Sequence, residues 1–202
     1  PPAFIPRIVA SDLKGGYQVV PADLNRDGKI DLIAVAQSLS ELVWFENPSW
    51  QRHVIAGGLR RMVNAAAWDS DGDGIPELVL AHEFSNVAKN SLGIVSVLHH
   101  NGDPRAPWSI REIDRLTTAH RLRWADLEGR GRKVAVHAPL TGAAAEAPGF
   151  KSPVPLVFYR PGEWKRESIG EETQGVMHGI EVFDWDGDRG DEILAASFEG
   201  IH

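Results

Sequence analysis

Four short acidic stretches hold the residues best suited to chemistry. The first runs Asp23-Leu24-Asn25-Arg26-Asp27-Gly28-Lys29-Ile30-Asp31, and the second Asp69-Ser70-Asp71-Gly72-Asp73-Gly74-Ile75-Pro76-Glu77. A later one runs Asp184-Trp185-Asp186-Gly187-Asp188-Arg189-Gly190-Asp191-Glu192. Side chains at positions 1, 3 and 5 of such a loop converge on one point when the backbone wraps around it. A glycine at position 6 permits the sharp turn, and an acid at position 9 closes the shell. A set of six to eight oxygen donors in flexible geometry is what Ca²⁺ takes; Mg²⁺ demands a tighter octahedron and keeps its waters. The expected ligands are Asp23, Asn25, Asp27 and Asp31 with the Lys29 carbonyl in the first loop. In the second they are Asp69, Asp71, Asp73 and Glu77 with the Ile75 carbonyl. In the fourth they are Asp184, Asp186, Asp188 and Glu192 with the Gly190 carbonyl, the glycine there being displaced to position 7. An EF-hand needs a Glu at position 12 and flanking helices. Position 12 here is Ala34, Leu80 or Ala195, so that motif is excluded.

A third, weaker stretch, Asp126–Val134, has Arg130 in place of the position-5 acid and Val134 in place of the closing acid. No calcium is expected there. Arg130 or Lys133 is expected to supply the positive charge instead. The three acid-rich loops thus predict three structural Ca²⁺ ions. Packed carboxylates repel strongly without a cation, and three ions would offset six charges of a chain whose net charge is −7.

A second set of reactive residues emerges on counting back from each leading aspartate. Six residues before it lie Tyr17, Val63, His120 and His178; five before, Gln18, Asn64, Arg121 and Gly179; three before, Val20, Ala66, Arg123 and Glu181. His120, Arg121, His178 and Glu181 are the candidate catalytic group. A neutral His is a natural base near pH 7, and Arg can stabilise an enolate-like charge. The competing reading is that these groups hydrogen-bond each other and channel water. His82, Glu83 and His137 are further candidates. His99-His100 reads as a surface pair at a strand end. No Ser-His-Asp or Cys-His arrangement, phosphate loop or zinc motif accompanies them.

The elements that must position these residues are repeats. The leading aspartates at 23, 69, 126 and 184 lie 46, 57 and 58 residues apart, the period of a four-stranded propeller blade with insertions. The excess falls at Ser85–Leu92 and Thr141–Pro153, which read as rim loops. Leu32–Ala36 and Leu78–Ala81 are apolar without alternation, as strands buried on both faces are. Trp50–Ile55, Trp108–Ile113 and Trp164–Ile169 alternate, as a strand facing solvent does; Phe4–Val9 reads as the first copy. The expected fold is all-β: a propeller of four-stranded antiparallel blades, about three and a half of them. It forms a single domain over 1–202 in units of 1–49, 50–107, 108–163 and an incomplete 164–202.

The broad composition agrees. Twenty Gly and thirteen Pro in 202 residues suit many short strands. No run of eighteen apolar residues is present, so no membrane span is expected. The acidic balance argues against a nucleic-acid partner. Cysteine is absent, which excludes disulfides and thiolate sites. Weak calcium loops stay filled in millimolar calcium, so a secreted or periplasmic setting is expected.

The loops at Asp23–Asp31, Asp69–Glu77 and Asp184–Glu192 resemble the FG-GAP/VCBS propeller repeats. The segments "HRLRWADLEG", "VAVHAPLTG" and "HGIEVFDWDGD…DEILAASFEGIH" resemble more closely the propeller of aldos-2-ulose dehydratase/isomerase-like proteins. That resemblance implies a carbohydrate-active hydro-lyase acting on keto-sugars. The alternative is a non-catalytic, calcium-dependent ligand-binding or adhesion propeller. Propellers of this family usually have six to eight blades. A further chain segment or an oligomer completing the ring is therefore expected.

Overall fold

The computed structural model describes residues 3–202. Every repeat begins with the same hairpin. In the first sheet β1 (Gly16–Ala22) and β2 (Asp31–Ala36) flank the first acidic loop, with Ala22 opposite Asp31. The equivalent pairs are β5 (Asn64–Trp68) and β6 (Glu77–His82), then β9 (Ala119–Ala125) and β10 (Val134–Pro139), then β13 (Met177–Phe183) and β14 (Glu192–Ser197). In each, the residue before the leading aspartate pairs with the residue at position 9: Trp68 with Glu77, Ala125 with Val134, Phe183 with Glu192. The closing acid is therefore the first residue of the outgoing strand, and strand register fixes its reach into the loop.

Two more strands complete three of the sheets. These are β3 (Glu41–Glu46) and β4 (Gln51–Gly57), β7 (Ile94–His99) and β8 (Ser109–Arg115), and β11 (Pro153–Tyr159) and β12 (Arg166–Gln174). Strand order follows the chain in every sheet, and all pairs are antiparallel. The fourth sheet has three strands, ending in the two-residue β15 (Gly200–Ile201). The four sheets are arranged as blades of a β-propeller. Inner strand β5 packs against β1 and β9, and β9 against β13. Among the described residues, β13 and β1 do not pack on one another in the same way.

The core lies between blades rather than within one. Leu24, Ile33, Trp44 and Leu78 fill the interface of the first two sheets; Val79, Leu122, Ala135 and Tyr159 that of the second and third; Val136, Phe158, Met177 and Ile180 that of the third and fourth. This explains the unbroken apolar runs. β6 and β10 are buried at every residue, because each lies between two neighbouring sheets. β14 buries only Ala195 fully.

The sequence-derived unit boundaries need a correction. The Trp-led segment at 50–57 is β4, the outermost strand of the first sheet, and does not open the second. The sheets instead run 16–57, 64–115, 119–174 and 177–201. A solvent-facing strand carries the same alternation whether it begins or ends a unit, so periodicity alone could not assign it. Phe4, Ile5 and Ile8 are exposed and lie in no strand.

Candidate functional site

The four loops share one backbone path. Positions 4 and 6 are left-handed in all of them: Arg26 and Gly28, Gly72 and Gly74, Gly129 and Gly131, Gly187 and Arg189. The left-handed region costs a non-glycine residue roughly 1 kcal/mol or more, which explains the glycine enrichment at both positions. In the fourth loop the glycine is displaced to position 7, but the left-handed turn is not. Arg189 itself takes the left-handed geometry, with φ 85°.

The loop acids wind the chain by accepting backbone N–H bonds. Asp23 accepts from Asp27 and Gly28, Asp69 from Gly72 and Gly74, and Asp184 from Gly187 and Arg189. Position 3 accepts from position 5, and position 5 from position 7, in loops one, two and four. The closing acid reaches back to the amide of position 2: Asp31 to Leu24, Glu77 to Ser70, Glu192 to Trp185.

Their fitness for a cation differs. In loop two, carboxylate oxygens of Asp69, Asp71 and Asp73 approach within 4.8 Å of one another, as do those of Asp184, Asp186 and Glu192 in loop four. Glu77 is buried, and its Oε1 has no hydrogen-bond partner. A bare buried carboxylate oxygen is costly, and a cation at this point would remove the cost. Loop one offers no such convergent group among the described residues. Both oxygens of its buried Asp31 are engaged by the Leu24 and Asn47 amides, and Lys29 pairs with Asp27 at 3.2 Å. Desolvation pushes the Asp31 carboxyl above its ordinary range. Loops one and two are also braced together, with Arg26 3.0 Å from Asp73.

Loop three meets the expectation in part. The Arg130 guanidinium pairs with Glu128, the loop's own position-3 acid, at 3.1 Å, whereas the Lys133 ammonium leaves the loop and lies 4.6 Å from the centre of the Trp68 ring. Neither cation meets Asp126. Its carboxylate is held instead by the backbone amides of Arg130 and Gly131. Desolvation pushes this carboxyl up, but the amides outweigh it and hold the group below the usual carboxylate range. An acid of the next blade braces the loop at position 1 rather than position 2: Asp191 accepts the Asp126 N–H at 2.7 Å, and the Asp191 N–H donates to the Asp126 carbonyl at 2.8 Å. A fold-level contact of this kind leaves no mark in one loop's pattern.

The second candidate group sits at the opposite end of the inner strands. Tyr17, His120 and His178 each lie at the start of an inner strand, six residues from the leading aspartate, which is about 20 Å along a strand. Tyr17 Oη is hydrogen-bonded to His120 Nε2 at 3.1 Å, and the His120 and His178 rings lie 5.2 Å apart. The Arg121 guanidinium donates to the His178 carbonyl at 3.1 Å and stands 5.7 Å from the Tyr17 ring centre. Phe84 stacks on His120 at 5.3 Å. Burial, reinforced by Arg121, His178 and His137, holds the buried His120 imidazole down at about 3. It stays neutral through the physiological range.

Three of the four expected catalytic residues therefore come together. The fourth does not. Glu181 is exposed and approaches only Arg123, at 3.9 Å. Glu181 lies three residues further along β13 than His178, about 10 Å up the strand toward the acidic loop. Tyr17 shares the register position of His120 and His178 and was visible in the count. Phe84, just past β6, carries no signal in the repeat. Of the further candidates, Glu83 is locked by Arg60 and Arg61 at 2.8 and 2.6 Å, and His82 bonds Ser96 at 3.0 Å. Buried His137 bonds Tyr159 at 3.2 Å. All three serve the framework.

A loop-to-loop repeat of this geometry is what the comparison with family models detects. Residues 23–80 match the FG-GAP-like repeat. The match starts at the first leading aspartate and ends inside β6, so it takes in both of the first two loops and the blade between them. No curated protein is matched by the sequence. Among the described residues, no helix is long and apolar enough to cross a membrane.

Proposed function

We propose that this chain is a calcium-stabilised FG-GAP-type propeller that binds a small polar ligand, of carbohydrate type, on the face remote from its acidic loops. The observation that carries this reading is the convergence of Tyr17, His120, Arg121 and His178 from three different sheets. A hydroxyl, a guanidinium and an exposed imidazole around an aromatic wall suit a polyhydroxylated ligand. The metals are structural: loops two and four supply the convergent acids, far along the strands from that group. Loops of this kind fill at millimolar calcium, which supports a secreted or periplasmic setting.

A hydro-lyase on keto-sugars is the second reading. One observation favours it: His178 is exposed and stands beside Arg121, the pair that proton abstraction next to a carbonyl requires. Against it, His120 is too weak a base, and the one acid of the expected group, Glu181, points elsewhere.

Saturation-transfer NMR against a panel of monosaccharides, 1,5-anhydrofructose included, tests both. Binding that disappears in Arg121→Ala supports the first reading. Growth of enone ultraviolet absorbance that His178→Ala abolishes supports the second. No transfer to any sugar refutes both.

A further inference from the structure

The outer end of loop two holds a nitrogen donor that the acidic-loop pattern does not contain. His99 closes β7, and its Nε2 is hydrogen-bonded to Asp71 Oδ2 at 3.3 Å and lies 3.6 Å from Glu77 Oε1. Ligand atoms of Asp71, Glu77 and His99 all fall within 4.8 Å of one another. Each acid is held by its other oxygen. Asp71 Oδ1 accepts the Asp73 N–H at 3.0 Å, and Glu77 Oε2 accepts the Ser70 N–H and hydroxyl at 2.8 and 2.6 Å. The His99 ring is steadied by stacking on His100, with centroids 4.8 Å apart and planes within 10°. His100 is itself fixed between Asp73 at 2.9 Å and the Gly102 amide at 3.0 Å.

The independent sign of a ligand is Glu77. Its side chain is 4% exposed, and Oε1, the atom facing His99 and Asp71, accepts no hydrogen bond. Two carboxylates and one imidazole are a poor set for Ca²⁺, which wants oxygen throughout, and a good one for Zn²⁺. Three protein donors leave the fourth zinc position open. Beside the group lies a cavity of about 330 Å³, on whose wall Arg111 and Trp164 stand.

We propose that Asp71, Glu77 and His99 form a mononuclear site for a zinc-class divalent ion with one exchangeable position. The proposal rests on loop two being a metal site, and departs from the calcium reading in metal class and in the histidine ligand. Loss of an outer-shell partner alone costs zinc sites about 10–100-fold in affinity. Loss of the His99 ligand should cost at least roughly a hundredfold.

The test is calorimetric titration of the full chain with Zn²⁺ and, separately, with Ca²⁺, for the wild type and His99→Ala. Co²⁺ gives an optical readout through its visible ligand-field bands. The expected result is one zinc site per chain that His99→Ala removes together with the Co²⁺ bands, while Ca²⁺ binding changes less than about twofold. His99 is half-exposed, and an unchanged thermal melt in EDTA verifies the fold of the variant. Equal Zn²⁺ affinity in the two proteins, or no Zn²⁺ binding in the wild type, overturns the proposal. Absence of Ca²⁺ binding with the His99-dependent zinc site intact refutes only the calcium reading.

Discussion

Lowering the pH from 7.5 to 5.0 should destabilise this propeller through two buried imidazoles. Tyr159 Oη donates to Asp114 at 2.6 Å, so the proton between Tyr159 and His137 must belong to His137 Nδ1. His137 Nε2 is then a bare lone pair, buried and without a partner. A second proton would place charge where nothing accepts it. Burial accordingly holds His137 down at about 3, as it does His120. The unfolded chain titrates near the ordinary value of 6.5. Each group's contribution is thus complete above about pH 6.5 and is lost as pH falls toward 3. At pH 5 the gap is about 1.5 pH units, or roughly 2 kcal/mol per histidine and about 4 kcal/mol for the pair. That is a large part of the ~5–15 kcal/mol that stabilises an ordinary domain. His82 adds in the same direction, because burial lowers it too. His99 opposes: desolvation lowers it, but its pairing with Asp71 and Glu77 outweighs that and raises it. Urea midpoints across this range, with His137→Leu and the double variant with His120→Leu, form the assay. The single change should remove close to half of the pH dependence and the double change most of it. A double variant with the wild-type slope would show that the imidazoles are not the titrating groups.

Other expectations follow from the same contacts. EDTA should lower the Tm by about 10 °C or more, since each saturated cation contributes roughly 2.7 kcal/mol at a hundredfold excess over Kd, and a kcal/mol moves a chain of this size by about 2–4 °C. An EDTA melt identical to that in calcium would refute structural calcium. Gly93→Ala should cost about 3 kcal/mol or more in a denaturant titration. Gly93 has φ 59°, and a Cβ there would lie 2.1 Å from the Leu116 carbonyl oxygen. Asp126→Ala should lower the Tm equally with and without calcium, whereas Asp69→Ala should lower it mainly in calcium. A calcium-dependent effect at Asp126 would mean that loop three holds an ion.

The fold was largely legible because its signals are local and repeated. Left-handed glycines, alternating loop acids and unbroken apolar runs each state their role within ten residues. The inner-strand count also placed Tyr17, His120 and His178 in one register. Contacts between repeats were not legible. Glu181 shares the strand with His178 but lies near Arg123 instead. Asp191 serves a loop 65 residues away. His99, a surface pair by sequence, reaches Glu77 only because β7 lies beside β6. Arg130 pairs with Glu128 of its own loop, but Lys133 leaves the loop for the Trp68 ring of another blade.

The exchange between Asp126 and Asp191 changes how the molecule should come apart. Loops one, two and four are each closed by their own acid. Loop three is closed by a residue of its neighbour, through two reciprocal hydrogen bonds. The two loops also press together at Gly129, where any Cβ would lie only 3.0 Å from the Arg189 backbone. The last two blades then open as one cooperative unit. Their amides should exchange with a common free energy in native-state hydrogen exchange. A loop closed from outside its own blade has lost its independence.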